Sequence, residues 1–594
     1  MPTTATVFLQ TLSEAGVTHA FVNWGNDHPS LLEDLERQRV ENGGKSLIEI
    51  VTCPNEMVAL SAAQGYAQVT GKPAAVIVHV DVGTQALAGA VHNVDKGRTP
   101  VLIFAGASPF SAHGEFKGSK NEWPMWVQDI PDQPAIVRQY MRHTAQIQSG
   151  KNVAKVVARA LQFATSDPQG PTYLWARREV MEEDLDPAVA NAKLDFTKWP
   201  PVQPSALEAS VVQNITEALL LAKFPLIITA HTGRNPRTVP LLMALSNAFS
   251  IAICASCPSA VCVPYSYPHF LGTSFHGKNH LLDEADVIVV LDADVPWVDA
   301  CDNAPKANAR VFLIDPDPLK ANMGWSHIDA EIICRADSEV ALNQLVTAGV
   351  EIAPIPESII DRGKELKKRH DDWIDTLTRV EVTSLHDLQA VPTVPGIIGA
   401  LRDSVQELTP SNGQKTLWIN EGISNYHLVF DHVRPQIPGS MIASGATSLG
   451  YALGAAVGAT LGGQVAKKDY ELIVVVVGDG DYLFSVPSSA YWMARRYNTP
   501  HLTIVLNNGG WASPKNSMKG VYPQGHGSKA TGNRLTIGFG PEMPDYGGIA
   551  AAAGGAWARK VEKNGQLKEI IDEAVKVVLN EKRCAVVDCI IESI

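Results

Sequence analysis

The chain has 594 residues, 19% charged and 45% apolar, which excludes a disordered, collagen-like or coiled-coil protein and leaves room for two to four globular units. Its formal net charge of −13 argues against a face that grips a phosphate backbone, so no nucleic-acid partner is expected. Eight cysteines are too few for a disulfide scaffold, and no apolar stretch reaches the roughly 18 residues that span a bilayer, so a reduced, cytoplasmic protein without a membrane partner is expected.

The first residues, MPTTATVFLQ, lack a basic segment and a cleavage site, and no secretory signal is expected. Residues 17–25 and 46–56 read as strands, 57–71 as an Ala-rich helix, and 72–83 and 99–106 as buried strands. These apolar runs are continuous and β-branched rather than alternating, the pattern of a parallel sheet covered on both faces. This first domain is placed at 1–185. A linker follows at 186–205, where Pro200, Pro201 and Pro204 block regular structure. Strands at 224–233, 285–294 and 309–317 define a middle domain over 206–350. Its Cys254 and Cys257 read as ordinary thiols, because no second ligand pair stands at zinc-site spacing. Residues 351–392 are charged and read as a helical connector. A last domain, 393–594, carries strands at 414–422, 470–480, 501–511 and 584–592. The fold class is therefore α/β, with three doubly wound parallel-sheet domains.

The strongest chemical signal lies in the last domain. The strand through Val477 ends in Gly478-Asp479-Gly480, and the strand through Leu506 ends in Asn507-Asn508. Open α/β sheets bind ligands at the carboxyl ends of their strands. Glycines there allow a backbone to approach a phosphate. A carboxylate, an amide oxygen and a main-chain carbonyl are hard donors suited to Mg²⁺.

GDG followed after 26 residues by NN resembles the diphosphate-binding signature of thiamine-diphosphate enzymes. By that resemblance Asp479 and Asn508 are Mg²⁺ ligands, Gly510 adds a carbonyl, and Gly478 and Gly480 line the diphosphate. The segment GATSLGY (445–451) is similar to the stretch beneath the cofactor. It implies that Leu449 is the wedge bending the cofactor and that the Thr447 carbonyl accepts from its 4′-amino group. Glu56 opens a stretch that resembles the family pattern E-x-x-A-x-x-x-A-x-G-Y-A-x-x-T-G-K-P, which makes it the carboxyl group bonded to the aminopyrimidine. The three domains thereby resemble pyrimidine-binding, middle and diphosphate-binding domains. Within that family the chain resembles acetolactate synthase and benzoylformate decarboxylase.

The loop FVNWGNDHP (21–29) resembles an N-terminal substrate loop. His79–Gln85 stands where the family has GPG-x-x-N, with Asp81 and Val82 replacing Gly and Pro. Asn26, Asp27, His28, His79, Asp81, Gln85 and Gln128 are the substrate candidates, with Trp511 as a pocket wall. His28 and His79 are the candidate catalytic proton relays, with Asp81 orienting His79. The resemblance implies a homodimer or homotetramer with sites at the interface. It also implies thiamine diphosphate and Mg²⁺ as cofactors. FAD is the lesser alternative, with Gly233, Arg234, Asp315 and Asp317 as its candidate contacts, since no GxGxxG is present. The implied activity is decarboxylation of a 2-oxo acid to an enamine on the cofactor, which leaves as an aldehyde or joins a carbonyl acceptor to give an acyloin. Acetolactate synthase proper and a flavin oxidase of the pyruvate-oxidase type are the alternatives.

Overall fold

A computed structural model describes residues 1–275, 277–324, 328–350 and 355–594. Its frame is three six-stranded sheets in which every paired neighbour is parallel. The first holds β1 (His19–Val22), β2 (Glu49–Thr52), β3 (Ala74–Val78), β4 (Val101–Ala107), β5 (His143–Ile147) and β6 (Pro171–Arg177), in the order β2-β1-β3-β4-β6-β5. The second holds β7 (Pro225–Thr229), β8 (Ala252–Ser256), β9 (Phe270–Ser274), β10 (Val287–Leu291), β11 (Arg310–Asp315) and β12 (Ile332–Arg335), in the order β12-β11-β10-β7-β8-β9. The third holds β13 (Thr416–Glu421), β14 (Met441–Ala443), β15 (Leu472–Gly478), β16 (Leu502–Asn507), β17 (Trp557–Val561) and β18 (Ala585–Ile590), in the order β14-β13-β15-β16-β18-β17. All residues of β3, β7, β10 and β16 are buried, as expected of strands covered on both faces.

The chain divides into two compact units. One comprises Met1–Gln203 with Ala446–Asp469 and Leu483–Thr499; the other comprises Pro204–Gly445, Tyr470–Tyr482 and Pro500–Ile594. In the first unit the helix Glu56–Thr70 starts at Asn55, whose side chain accepts from the Val58 amide, and stops at the left-handed Gly71. The helix Ala452–Ala466 lies against it so closely that glycine is required. A Cβ on Gly458 would stand 1.8 Å from the Ala62 carbonyl oxygen, and one on Gly65 would stand 2.3 Å from that of Ala455. Gly454, Gly458 and Gly462 recur every four residues and form one face, which explains the Gly- and Ala-rich stretch 448–463.

In the second unit the middle and last sheets share a hydrophobic core in which Ile227 and Phe312 cluster with Trp418 and Val476. That is why two units emerge where the sequence suggested three domains. The connector is the helix Glu357–Ser384, 28 residues long, while residues 351–354 of the expected connector lie outside the described residues. Within 186–205 there are only a four-residue helix, Pro187–Ala190, and a short 3₁₀ turn. Cys254, Cys257 and Cys262 are free thiols. Among the described residues no helix is long and apolar enough to cross a membrane.

Candidate active site

In the second unit the turns after the adjacent strands β15 and β16 meet. Asp479 Oδ2 accepts the Gly510 amide at 2.8 Å, and Asn508 Oδ1 accepts the same N–H at 3.2 Å. Asp479 Oδ1 accepts from its neighbour Gly480 at 2.9 Å. One carboxylate, one amide oxygen and the Gly510 main chain are thus brought together, a donor set that could hold Mg²⁺. Burial pushes the Asp479 carboxyl up to about 6, and the bonds from the Gly480 and Gly510 amides only partly offset it. Nearby, burial and then the charge of Glu421 push Asp481 well above the usual carboxylate range.

The glycines of this loop serve side chains of the protein. A Cβ on Gly480 would fall 2.1 Å from Trp511 Cζ3, and one on Gly478 would fall 2.6 Å from Asp481 Oδ2. Trp511 therefore sits over Gly480, edge-on to Phe539 at 5.0 Å. A cleft of about 800 Å³ opens beside the loop, lined by Asn508, Ala512 and Asn516 together with Ser424 and Asn425. Ser424 and Asn425 were missed in the sequence. They follow the carboxyl end of β13, so the strand-end rule that singled out Asp479 applies to them too.

In the first unit Glu56 is the first residue of its helix, half-buried, where the N-terminal dipole favours a carboxylate. A Cβ on Gly83 would stand 3.0 Å from His79 Cβ and 3.5 Å from Glu56 Oε1, so the two candidates flank one glycine. The segment 446–450 joins them. Asn93 Nδ2 donates to the Ser448 carbonyl at 2.8 Å, and its Oδ1 accepts from the Ser448 amide at 3.1 Å. His92 Nε2 lies 3.2 Å from Thr447 Oγ1. Gly450, at φ +100°, lies against Met57, the residue after Glu56: a Cβ there would be 2.2 Å from Met57 Cε. Thr447 is exposed and Leu449 half-buried in this turn.

The substrate candidates separate. His79 is 17% exposed and its Nδ1 is hydrogen-bonded to Asp27 Oδ1. Asp27, expected to meet substrate, is instead buried at 2% exposure behind His79, its Oδ2 accepting the Val80 amide at 3.1 Å. His28, expected as a relay, is sealed at 1% exposure; its Nδ1 accepts from the Gly25 amide, and burial lowers its pKa. Asp81 does not orient His79, because its carboxylate is taken by Gln85 Nε2 at 2.7 Å. Asp81 has φ +29°, a conformation that favours glycine. Asn26 donates to Glu122 at 2.7 Å, and Gln128 is half-buried and is one of the groups that raise the His79 pKa.

The candidate FAD contacts are committed elsewhere. A Cβ on Gly233 would stand 2.2 Å from the Val261 carbonyl oxygen. Arg234 lies 3.5 Å from Asp292, and Asp315 is paired with Lys320 at 2.6 Å.

Comparison with known proteins identifies the family. Three family models match: "Thiamine pyrophosphate enzyme, N-terminal TPP binding domain" over residues 2–136, the central domain over 212–345, and the C-terminal TPP binding domain over 422–589. A probable acetolactate synthase large subunit of Methanococcus aeolicus is 22% identical, covering 89% of this chain and 84% of its own. The 2-hydroxyacyl-CoA lyase of Saccharomyces cerevisiae is 22% identical, covering 88% and 87%. Benzoylformate decarboxylase of Pseudomonas aeruginosa is 23% identical, covering 86% of each chain. Among solved structures, benzoylformate decarboxylase of Polynucleobacter necessarius superposes with a TM-score of 0.76 at 18% identity over 100% of this chain and 99% of its own. The 4-hydroxybenzoylformate decarboxylase of Rhodococcus jostii gives 0.72 at 18% identity over 100% and 99%. With the three models matching in chain order across all three sheets, the chain belongs to the thiamine pyrophosphate enzymes.

Proposed function

We propose that the chain is a thiamine-diphosphate- and Mg²⁺-dependent carbon–carbon lyase or carboligase that decarboxylates a 2-oxo acid, its product an aldehyde or an acyloin. The observation that carries this reading is the junction of Asp479, Asn508 and Gly510 at two adjacent strand ends, within the segment that matches the C-terminal TPP binding domain. When bound, thiamine diphosphate supplies the carbanion and the electron sink that cleavage beside a carbonyl requires. Asp479, Asn508 and the Gly510 main chain would hold the metal, and the Ser424–Asn425 side of the cleft would receive the diphosphate. Glu56 would hold and release the proton of the aminopyrimidine. Its partner in the first unit is His79, which is partly exposed and can pass a proton to the reacting centre. The names of the similar proteins, three acting on benzoylformates and one on 2-hydroxyacyl-CoA, support a 2-oxo or 2-hydroxy acyl substrate. A homodimer or homotetramer with the site between chains is part of the proposal.

Calorimetric titration with thiamine diphosphate, with and without Mg²⁺, tests it. Binding that requires the metal and is lost in Asp479→Ala is expected. Metal-independent binding, or none, would overturn it.

A further inference from the structure

We propose that Asp27 is a positioning residue that fixes the ring of His79, with Nδ1–H donated to its carboxylate and Nε2 left as the atom that exchanges a proton with the substrate. This rests on the functional reading above and deepens it.

The geometry is built for the pair. Asp27 Oδ1 meets His79 Nδ1, and Oδ2 accepts the Val80 amide at 3.1 Å, so the carboxylate is held at both oxygens by the chain that carries the histidine. Two glycines make the space. A Cβ on Gly25 would stand 1.8 Å from His79 Nδ1, and one on Gly106 would stand 1.7 Å from Asp27 Oδ2. Neither the loop after β1 nor β4 could carry a side chain at these points without breaking the pair. The arrangement orders the two groups by exposure, with the carboxylate sealed at 2% and the imidazole reaching the surface at 17%. A carboxylate behind an imidazole selects one tautomer and favours the cation. Asp81 cannot serve in its place, being bonded to Gln85.

The charged and titratable groups that face His79 are Asp27 and His28 from the loop after β1 and Glu56 from its helix; the Gln128 amide adds a polar contact. Burial pulls the His79 ring down, and the bond and charge of Asp27, with Gln128 and Glu56, outweigh it, so His79 stays above the ordinary histidine value. His28 goes the other way: burial lowers it, and its Nε2 stands 3.3 Å from Asp27 Oδ2. One carboxylate thus faces two histidines: the outer one is raised by it, while burial keeps the inner one lowered.

The test is the pH dependence of diethyl pyrocarbonate labelling at His79, mapped by mass spectrometry on the apoprotein, with the same peptide in denatured protein as reference. In the wild type the His79 midpoint should lie above the denatured reference; a midpoint at or below it overturns the proposal whatever the variants do. In Asp27→Asn the midpoint should fall by a unit or more, while Asp81→Asn leaves it in place. An unmoved midpoint in Asp27→Asn, with unfolding temperature and thiamine diphosphate affinity retained, also overturns it. These readings need no turnover, so a failure of the functional reading would be seen separately, as absent cofactor binding. Where turnover is measured, the alkaline limb of the kcat profile should move to lower pH in Asp27→Asn, with KM little changed.

Discussion

The Gly510 amide donates to Asp479 Oδ2 at 2.8 Å, and this bond ties the turn that ends β15 to the turn that ends β16. The two residues are 31 positions apart in the chain, yet parallel pairing of their strands sets Gly478 beside Leu506 and leaves the following turns side by side. The metal-binding reading depends on this adjacency.

Removing either donor should loosen the metal rather than the fold. Asp479→Ala and Asn508→Ala are each expected to weaken Mg²⁺-dependent cofactor binding by at least tenfold, about 1.4 kcal/mol or more. Both proteins should unfold cooperatively, since neither side chain belongs to the hydrophobic core. Calorimetry with Mg²⁺ and thiamine diphosphate reads the affinity, and unchanged affinity in both variants would remove them from the metal site.

Glu56→Gln keeps the shape of the side chain and removes its charge. Cofactor affinity is expected to change little, while kcat falls by about 10²–10⁴, the range for a lost acid–base group. Steady-state kinetics beside calorimetry checks the pair of outcomes; full activity would take Glu56 out of the mechanism.

The contact of the helices Glu56–Thr70 and Ala452–Ala466 tolerates no side chain at Gly458, where a Cβ would stand 1.8 Å from a carbonyl oxygen. Gly458→Ala should cost about 1–3 kcal/mol through overpacking, or more if the helices cannot part. Chemical denaturation measures it. Because Glu56 begins one of these helices, the same variant should lower kcat before it lowers solubility.

Glu381 anchors the second unit. Its carboxylate takes a two-pronged bond from Arg402 at 3.0 and 3.1 Å, one from Arg434 at 2.8 Å, and a contact with His432 Nδ1 at 2.6 Å. Burial raises its pKa, but the His432 and Arg402 bonds and the arginine charges outweigh this and bring it down to about 2 from 4.5. A folded-state value below the unfolded one means that the stabilisation is complete above about pH 4.5 and vanishes as the pH falls toward 2. The shift corresponds to about 3 kcal/mol. Glu381→Gln should therefore be clearly less stable at pH 7 and approach the wild type only near pH 2, as read from urea midpoints. A difference that does not depend on pH would contradict this.

Much of this was legible in the sequence. Buried strands such as Ala74–Val78 and Leu472–Gly478 declare themselves by unbroken β-branched runs, Asp479 and Asn508 stand out as polar residues at strand ends, and Glu56 is singled out only by the family resemblance of the stretch it opens. The strands that escaped are five edges of three to five residues, β5, β9, β12, β14 and β17, and two interior strands, of which β6 (PTYLWAR) opens on a proline. The interior strand β8 (AICAS) escaped for its small residues. Asp27 could not be told from a surface loop aspartate, since nothing local shows that Gly25 and Gly106, 81 residues apart in the chain, both leave room for its pair with His79. Likewise, a lone Gly-Asp-Gly does not reveal that Trp511 fills the space over Gly480.

The most direct test of the account is product analysis after incubating the protein with thiamine diphosphate, Mg²⁺ and a panel of 2-oxo acids, alone and with aldehyde acceptors. The account predicts CO₂ release that requires both cofactors, with one aldehyde released, or one carbonyl acceptor joined into an acyloin, for each enamine formed by loss of CO₂. A protein that binds the cofactor and metal tightly yet releases no CO₂ from any 2-oxo acid of the panel would contradict it.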